Sequence, residues 1–76
     1  MSRRYYRPQE ERVAFGSRIR GIMEARGINQ RQLSRESGIT EATVSRILGG
    51  WREPSYSTLH KLKRALGCTW TELMDD

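Results

Sequence analysis

The chain is 76 residues long, carries a formal net charge of +5, and only 36% of its residues are hydrophobic. That is enough for one domain with one small core. Its one cysteine, Cys68, excludes an intrachain disulfide, and no apolar run has the length of a signal-peptide core or a membrane span, so a cytoplasmic protein is expected.

The positive charge comes from 12 Arg and 2 Lys. The planar fork of arginine matches phosphates and guanine edges better than the point charge of lysine does. A GC-rich genome also enriches arginine, so composition alone leaves acidic substrates, membrane surfaces and nucleic acid open as partners. The charge is uneven. Residues 1–38 hold nine Arg against four acids, residues 39–64 five basic residues against two acids, and residues 65–76 three acids and no base. The acidic end is expected to face away from any polyanion.

Residues 1–8 form a basic, aromatic arm in which Arg3, Arg4 and Arg7 interleave with Tyr5 and Tyr6. Such an arm either wraps a polyanion or frays as a free terminus. The single domain then spans residues 9–76. Pro8 suits a helix start. A first helix is predicted over Gln9–Arg26, with Phe15, Ile19, Ile22 and Met23 as its apolar stripe. Gly16 and Gly21 each weaken it by about 1 kcal/mol. Gly16 lies beside the stripe, where a close helix contact is one reason for it.

Gly27-Ile28-Asn29 ends this helix and starts the next. The glycine can take the left-handed conformation of a helix end, and the Asn can accept from the free N–H groups of a new one. The apolar residue between them can plug the corner. The same order recurs at Gly38-Ile39-Thr40, eleven residues on, and at Gly67-Cys68-Thr69. The first two triplets bracket an eight-residue helix, Gln30–Ser37, with Asn29 as cap and Gln32 placed to complete a capping box. Leu33 is its main core residue, and Ser34 is small enough to let the next helix approach.

Thr40 caps a third helix, Glu41 to about Gly49, which the Gly49-Gly50 pair stops. The loop Trp51-Arg52-Glu53-Pro54 follows. Ser55 caps a fourth helix, about Tyr56–Leu66, with Leu59, Leu62, Ala65 and Leu66 inward. Thr69 caps a short last helix, with Glu72 completing the box and Trp70 and Leu73 packing inward. His60 reads as a surface or helix-packing residue and Cys68 as a buried one. The pattern predicts an all-α, compact five-helix domain with a helix-turn-helix at its second and third helices.

The third helix carries the most information. On a wheel of about 100° per residue with Glu41 at zero, Val44, Ile47 and Leu48 fall near 300°, 240° and 340°. Ala42, Ser45, Arg46 and Gly49 fall near 100°, 40°, 140° and 80°, on the other side. A face of Ala, Ser and Gly with one long Arg lets a helix sink into the DNA major groove. Arg46 can form two hydrogen bonds to guanine, contact a phosphate or remain solvated. Glu41 can accept from a cytosine amino group, orient a neighbouring Arg, or favour the helix N-terminus electrostatically. Ala42 or Thr43 can touch a thymine methyl or act as a spacer.

The phosphate candidates surround that face. Gln30 opens the second helix, where its backbone N–H and side-chain amide can clamp a phosphate. Asn29 can add a contact, although capping alone explains it. The hydroxyl of Thr40, or the amides of its turn, can hold another phosphate. Arg31, Arg35 and Arg52 are either phosphate contacts or solvated charges.

Residues 15–73 resemble the Cro and lambda-repressor-like domains of the Xre family. The matching pieces are Gly27-Ile28-Asn29-Gln30, Leu33-Ser34, Gly38-Ile39-Thr40, Val44-Ser45-Arg46-Ile47, Gly50, Pro54 and Leu66-Gly67. The resemblance implies a five-helix domain that binds operator DNA, usually as a homodimer on a two-fold site. It implies that Thr40, Glu41, Ala42, Thr43, Ser45 and Arg46 occupy recognition-helix positions and that Gln30 is the phosphate-clamping Gln. Three positions depart from the pattern. Met23 and Leu48 replace a common Arg–Glu pair and are expected to touch. Ser34 replaces a small Ala, and its hydroxyl is expected to bond a carbonyl one turn earlier. Trp51 stands where a basic residue is common, so it packs under the loop, lies on the DNA backbone or enters a dimer interface.

A sequence-specific transcriptional regulator is therefore expected, a bacterial or phage repressor acting by operator occlusion, since the 76 residues hold no effector domain. Double-stranded DNA and a second copy are its expected partners, with no membrane, small-molecule substrate, cofactor or metal. An antitoxin or protein-interaction module on the same fold is the alternative. One His, no cluster of metal-ligating residues and no activated nucleophile argue against an enzyme.

Overall fold

Helix ends in this chain fall where glycines and capping side chains put them. The computed structural model describes residues 8–74. Over these residues the chain forms α1 (Gln9–Arg26), α2 (Gln30–Ser37), α3 (Glu41–Leu48), α4 (Tyr56–Leu66) and α5 (Trp70–Met74). No strand occurs among the described residues. The arm residues Arg3, Arg4 and Arg7 lie outside them.

Pro8 stands at the N-cap of α1, where its carbonyl accepts from the amides of Glu11 and Arg12, both at 3.0 Å. Glu10 and Glu11 in the first turn and Arg26 in the last complement the helix dipole. The three glycines of the repeated triplet all have positive φ: Gly27 at 66°, Gly38 at 77° and Gly67 at 68°. Behind Gly27, the Ile28 amide returns to the Met23 carbonyl at 2.9 Å, closing the last turn of α1. The residue after each glycine plugs the corner: Ile39 and Cys68 are buried, and Ile28 packs half-buried against the core.

Each capping residue accepts one of the free N–H groups of its helix. Asn29 accepts from Gln32, Thr40 from Thr43, Ser55 from Thr58 and Thr69 from Glu72. Only Thr69 has the reciprocal bond, its own amide donating to Glu72 Oε1 at 2.8 Å. The box expected at Asn29 is half-formed. Gln32 donates instead to Glu36 Oε2, four residues on, at 3.2 Å.

α1 packs against α3, α4 and α5, and α2 packs against α3 and α4. Phe15, Ile19, Leu33, Val44, Ile47, Leu62, Leu66 and Leu73 are fully buried where these helices meet. Met23 and Leu48, at 7% and 4% exposure, lie in the same core where the resemblance places an ion pair. An apolar substitution of this kind leaves no buried charge to compensate. Two arginines of α1 fasten the last helix. Arg18 donates to the Leu73 carbonyl at 3.2 Å, and Arg26 lies 3.9 Å from Glu72.

One side-chain placement expected from the sequence fails here. Trp70 does not pack inward; it lies on the surface, stacked on Tyr56 at 6.3 Å, with the His60 ring edge-on to both. In a helix of five residues Leu73 takes the core position, and Trp70 finds its apolar contact along α4. Of the three places open to Trp51, packing under its loop is excluded, since the side chain is 73% exposed. The third helix also closes one residue early, at Leu48, with Gly49 as its cap.

Candidate nucleic-acid interface

The turn that joins α2 to α3 is held by serines. The Ser34 hydroxyl donates to the carbonyl of Ile39, in the turn, and not to a carbonyl one turn earlier as expected. Ser37 donates to the Ser34 carbonyl at 3.3 Å and accepts from the Ile39 amide at 3.2 Å. These bonds satisfy the amide and the carbonyl of the buried Ile39, which would otherwise be costly to bury. The angle between the two helices is thereby fixed by small polar side chains as well as by the plug of Ile39.

With the turn fixed, α3 divides as its wheel predicts. Val44, Ile47 and Leu48 are buried at 1%, 1% and 4% exposure. Glu41, Ala42, Ser45 and Arg46 are exposed and Thr43 is half-buried. Gly16 sets how deeply the inner face is seated. A Cβ there would lie 2.9 Å from the Ile47 carbonyl oxygen and closer still to the Leu48 carbonyl. Only glycine lets α1 come this near to the end of α3.

The starts of α2 and α3 are neighbours. Arg31 Nε lies 3.7 Å from Glu41 Oε2, which joins the first turn of α2 to the first residue of α3. Both side chains are largely exposed, so the pair adds little stability. Its value is positional. Asn29 takes the Gln32 amide and the Leu33 amide returns to the Asn29 carbonyl, leaving the Gln30 and Arg31 amides without an intrahelical acceptor. Thr40 treats α3 alike, leaving those of Glu41 and Ala42. The two helix starts differ in charge: α3 opens on a carboxylate, and α2 has no acid in its first turn. The helix dipole and the free amides favour an anion at both starts, more strongly at α2 than at α3, where the Glu41 carboxylate opposes it.

Arg35 follows Arg31 by four residues and is exposed on the same side of α2. Arg52 is exposed in the loop beyond α3. Neither Arg46 nor Arg52 has a side-chain hydrogen bond or ion pair among the described residues, so both are free to reach a ligand. The expected contacts Asn29, Gln30, Arg31, Arg35, Thr40, Glu41, Ala42, Thr43, Ser45, Arg46 and Arg52 are thus all at least partly solvent-accessible along α2, α3 and the following loop.

Sequence reasoning missed the loop's attachment. Arg12 donates to the Gly50 carbonyl at 3.0 Å, and the Trp51 amide donates to the Arg46 carbonyl at 2.8 Å. A Cβ on Gly50, whose φ is 81°, would collide with Val13. The Gly49-Gly50 pair gave the only signal, and it reads equally as a helix stop.

The family model of the Cro/C1-type HTH DNA-binding domain matches residues 18–76. The HTH-type transcriptional regulator PuuR of Escherichia coli is 31% identical over 67 residues, which cover 88% of this chain and 36% of PuuR. The HTH-type transcriptional repressor RghR of Bacillus subtilis is 37% identical over 62 residues, covering 80% of this chain and 46% of RghR. The chain therefore spans less than half the length of either relative. Among solved structures, the restriction-modification controller protein C.AhdI from Aeromonas hydrophila superposes with a TM-score of 0.81 at 33% identity, over 84% of this chain and 97% of that one. Fold, turn geometry and sequence agree: the chain belongs to the Cro/C1-type helix-turn-helix DNA-binding family.

Proposed function

We propose that this chain is a sequence-specific, double-stranded-DNA-binding transcriptional regulator that represses by covering its operator. The observation that carries the reading is the outer face of α3, where Ala42, Ser45 and Arg46 are exposed beside the neighbouring starts of α2 and α3, whose first amides are free. Small side chains let the helix approach the base edges, and Arg46 reaches guanine N7 and O6. Glu41, Ala42, Thr43 and Ser45 supply the remaining base contacts. Asn29, Gln30, Arg31, Arg35, Thr40 and Arg52 hold phosphates on either side, which fixes the register of α3 without reading sequence. Glu41 has a second role here, since it orients Arg31.

Occlusion needs a site large enough to compete with polymerase, and a two-fold operator bound by a homodimer provides it. The surface that supports self-association is the ring cluster of Tyr56, His60 and Trp70 on α4 and α5. Tyr56 is 71% exposed, and α5 packs on α1, not on α3, which leaves the reading face clear. Selection of bound sequences from a random duplex pool tests the proposal. An enriched motif of two inverted half-sites separated by about one helical turn is expected. Recovery of no motif at all would overturn sequence-specific binding, and a single unrepeated half-site would overturn the homodimer.

A further inference from the structure

Trp51 is the most exposed large apolar side chain of the described residues, and it is held where it is. Its amide is bonded to the Arg46 carbonyl at 2.8 Å, and the Gly50 amide to the Ile47 carbonyl at 3.1 Å. Arg12 ties the Gly50 carbonyl to α1 at 3.0 Å. The indole lies against Gly49 so closely that a Cβ there would be 2.9 Å from its Cδ1. Two adjacent glycines are thus spent on presenting one tryptophan to solvent. A loop without these constraints would fold the ring back over apolar surface, which is the favourable outcome in water.

Its place in the fold says what covers it. Trp51 stands beyond the C-terminal end of α3, the helix whose outer face is proposed to read bases, and the exposed Arg46 and Arg52 flank it along the chain. A recognition helix that reads bases with its N-terminal residues has its far end beside the groove wall, where the backbone of one strand passes. A polyanion suits that arginine-flanked patch. A second copy would bring like charges together there.

We infer that Trp51 is a DNA-positioning residue whose ring packs against the deoxyribose-phosphate backbone at the edge of the groove entered by α3. The inference rests on the DNA-binding reading. Its contact carries no sequence information, because every nucleotide offers the same sugar. It seats the end of α3 at a fixed depth, with the rigid loop transmitting that depth to Arg46 through the Trp51–Arg46 backbone bond.

The two tryptophans allow a direct test on the full chain. In Trp70→Phe the fluorescence comes from Trp51 alone, and in Trp51→Phe from Trp70 alone. Acrylamide quenching of each is measured with no DNA, with a short random-sequence duplex at low salt, and with a duplex selected from a random pool. Trp51 is expected to be shielded by both duplexes, whether or not Trp70, on the surface proposed for self-association, is shielded as well. Trp51→Ala is expected to weaken both duplexes by a similar factor, about tenfold. Duplex binding with Trp51 still fully quenchable would overturn the inference and leave the DNA-binding reading intact. Shielding of Trp51 that grows with protein concentration in the absence of DNA would overturn it in favour of a second copy. Failure to bind any duplex would overturn the reading itself.

Discussion

Gly16 of α1 lies against the carbonyl group of Leu48, the last residue of α3, with no space between them for a side chain. The depth of α3 relative to the rest of the domain is therefore set by a missing methyl group. Gly16→Ala must push α3 outward or distort α1, and a cost of about 1–3 kcal/mol is expected, as for other overpacked sites. Gly21 is the matched control. It is in the same helix, exposed, and a Cβ there would meet nothing within 4 Å. Gly21→Ala is expected to stabilise by about 0.5–1 kcal/mol through helix propensity alone. Chemical denaturation of the two variants gives opposite signs if the Gly16 contact is what holds α3 in place, and equal signs if it is not.

Ser34 is expected to matter more than its size suggests. Its hydroxyl satisfies the Ile39 carbonyl inside the α2–α3 turn. Ser34→Ala leaves that carbonyl without its donor, at a cost of about 1–3 kcal/mol. The resemblance places an alanine here, so a smaller loss, within about 0.5 kcal/mol, would mean that the turn relaxes and that the serine bond is incidental. Urea titration separates the two outcomes.

How much of the fold and site is legible in the sequence follows from the chemistry of each position. Helix ends are legible because positive φ and side-chain capping are local demands that few residues meet, as at Gly27-Ile28-Asn29 and Gly38-Ile39-Thr40. The inner face of α3 is legible from its period. The partner of Ser34 is not, because its acceptor belongs to the turn that follows and not to its own helix. Trp70 is misplaced when large and apolar is read as inward, whereas a five-residue helix offers one core position and Leu73 fills it. Arg12, Arg18 and Arg26 read only as charge, yet each bonds a carbonyl of a distant element. In the candidate site, residue types are legible, and the Arg31–Glu41 pairing depends on the angle between two helices.

Acid should loosen the last helix first. The Thr69 amide bonded to the Glu72 carboxylate, with Arg26 nearby, holds that carboxyl below the ordinary glutamate range. A carboxyl whose folded pKa is lowered contributes stability that is fully present above its unfolded value. That contribution disappears as the pH falls through the folded value. Glu72→Gln should therefore be less stable than the parent at neutral pH, with the gap closing on the acid side of the normal carboxylate range. A gap that stays constant with pH would assign the loss to packing and not to the charge.

Phosphate contacts should separate by charge in a salt titration. Arg52→Ala is expected to weaken binding to all duplexes and to reduce the slope of log K against log salt by about 1. Gln30→Ala is expected to weaken all duplexes alike with the slope unchanged, because a neutral amide displaces no counterion. An unchanged slope for Arg52→Ala would remove that residue from the interface.

Sequence-specific binding by this chain rests most on Arg46, proposed to read a base from the small, exposed face of α3. Affinities of the parent and of Arg46→Ala, measured across every single-base variant of the selected site, test this directly. The expected result is a loss of preference at one base pair of each half-site, worth about 1–3 kcal/mol, with preferences elsewhere retained. A uniform loss across all variants, with every preference kept, would contradict it and make Arg46 a phosphate contact.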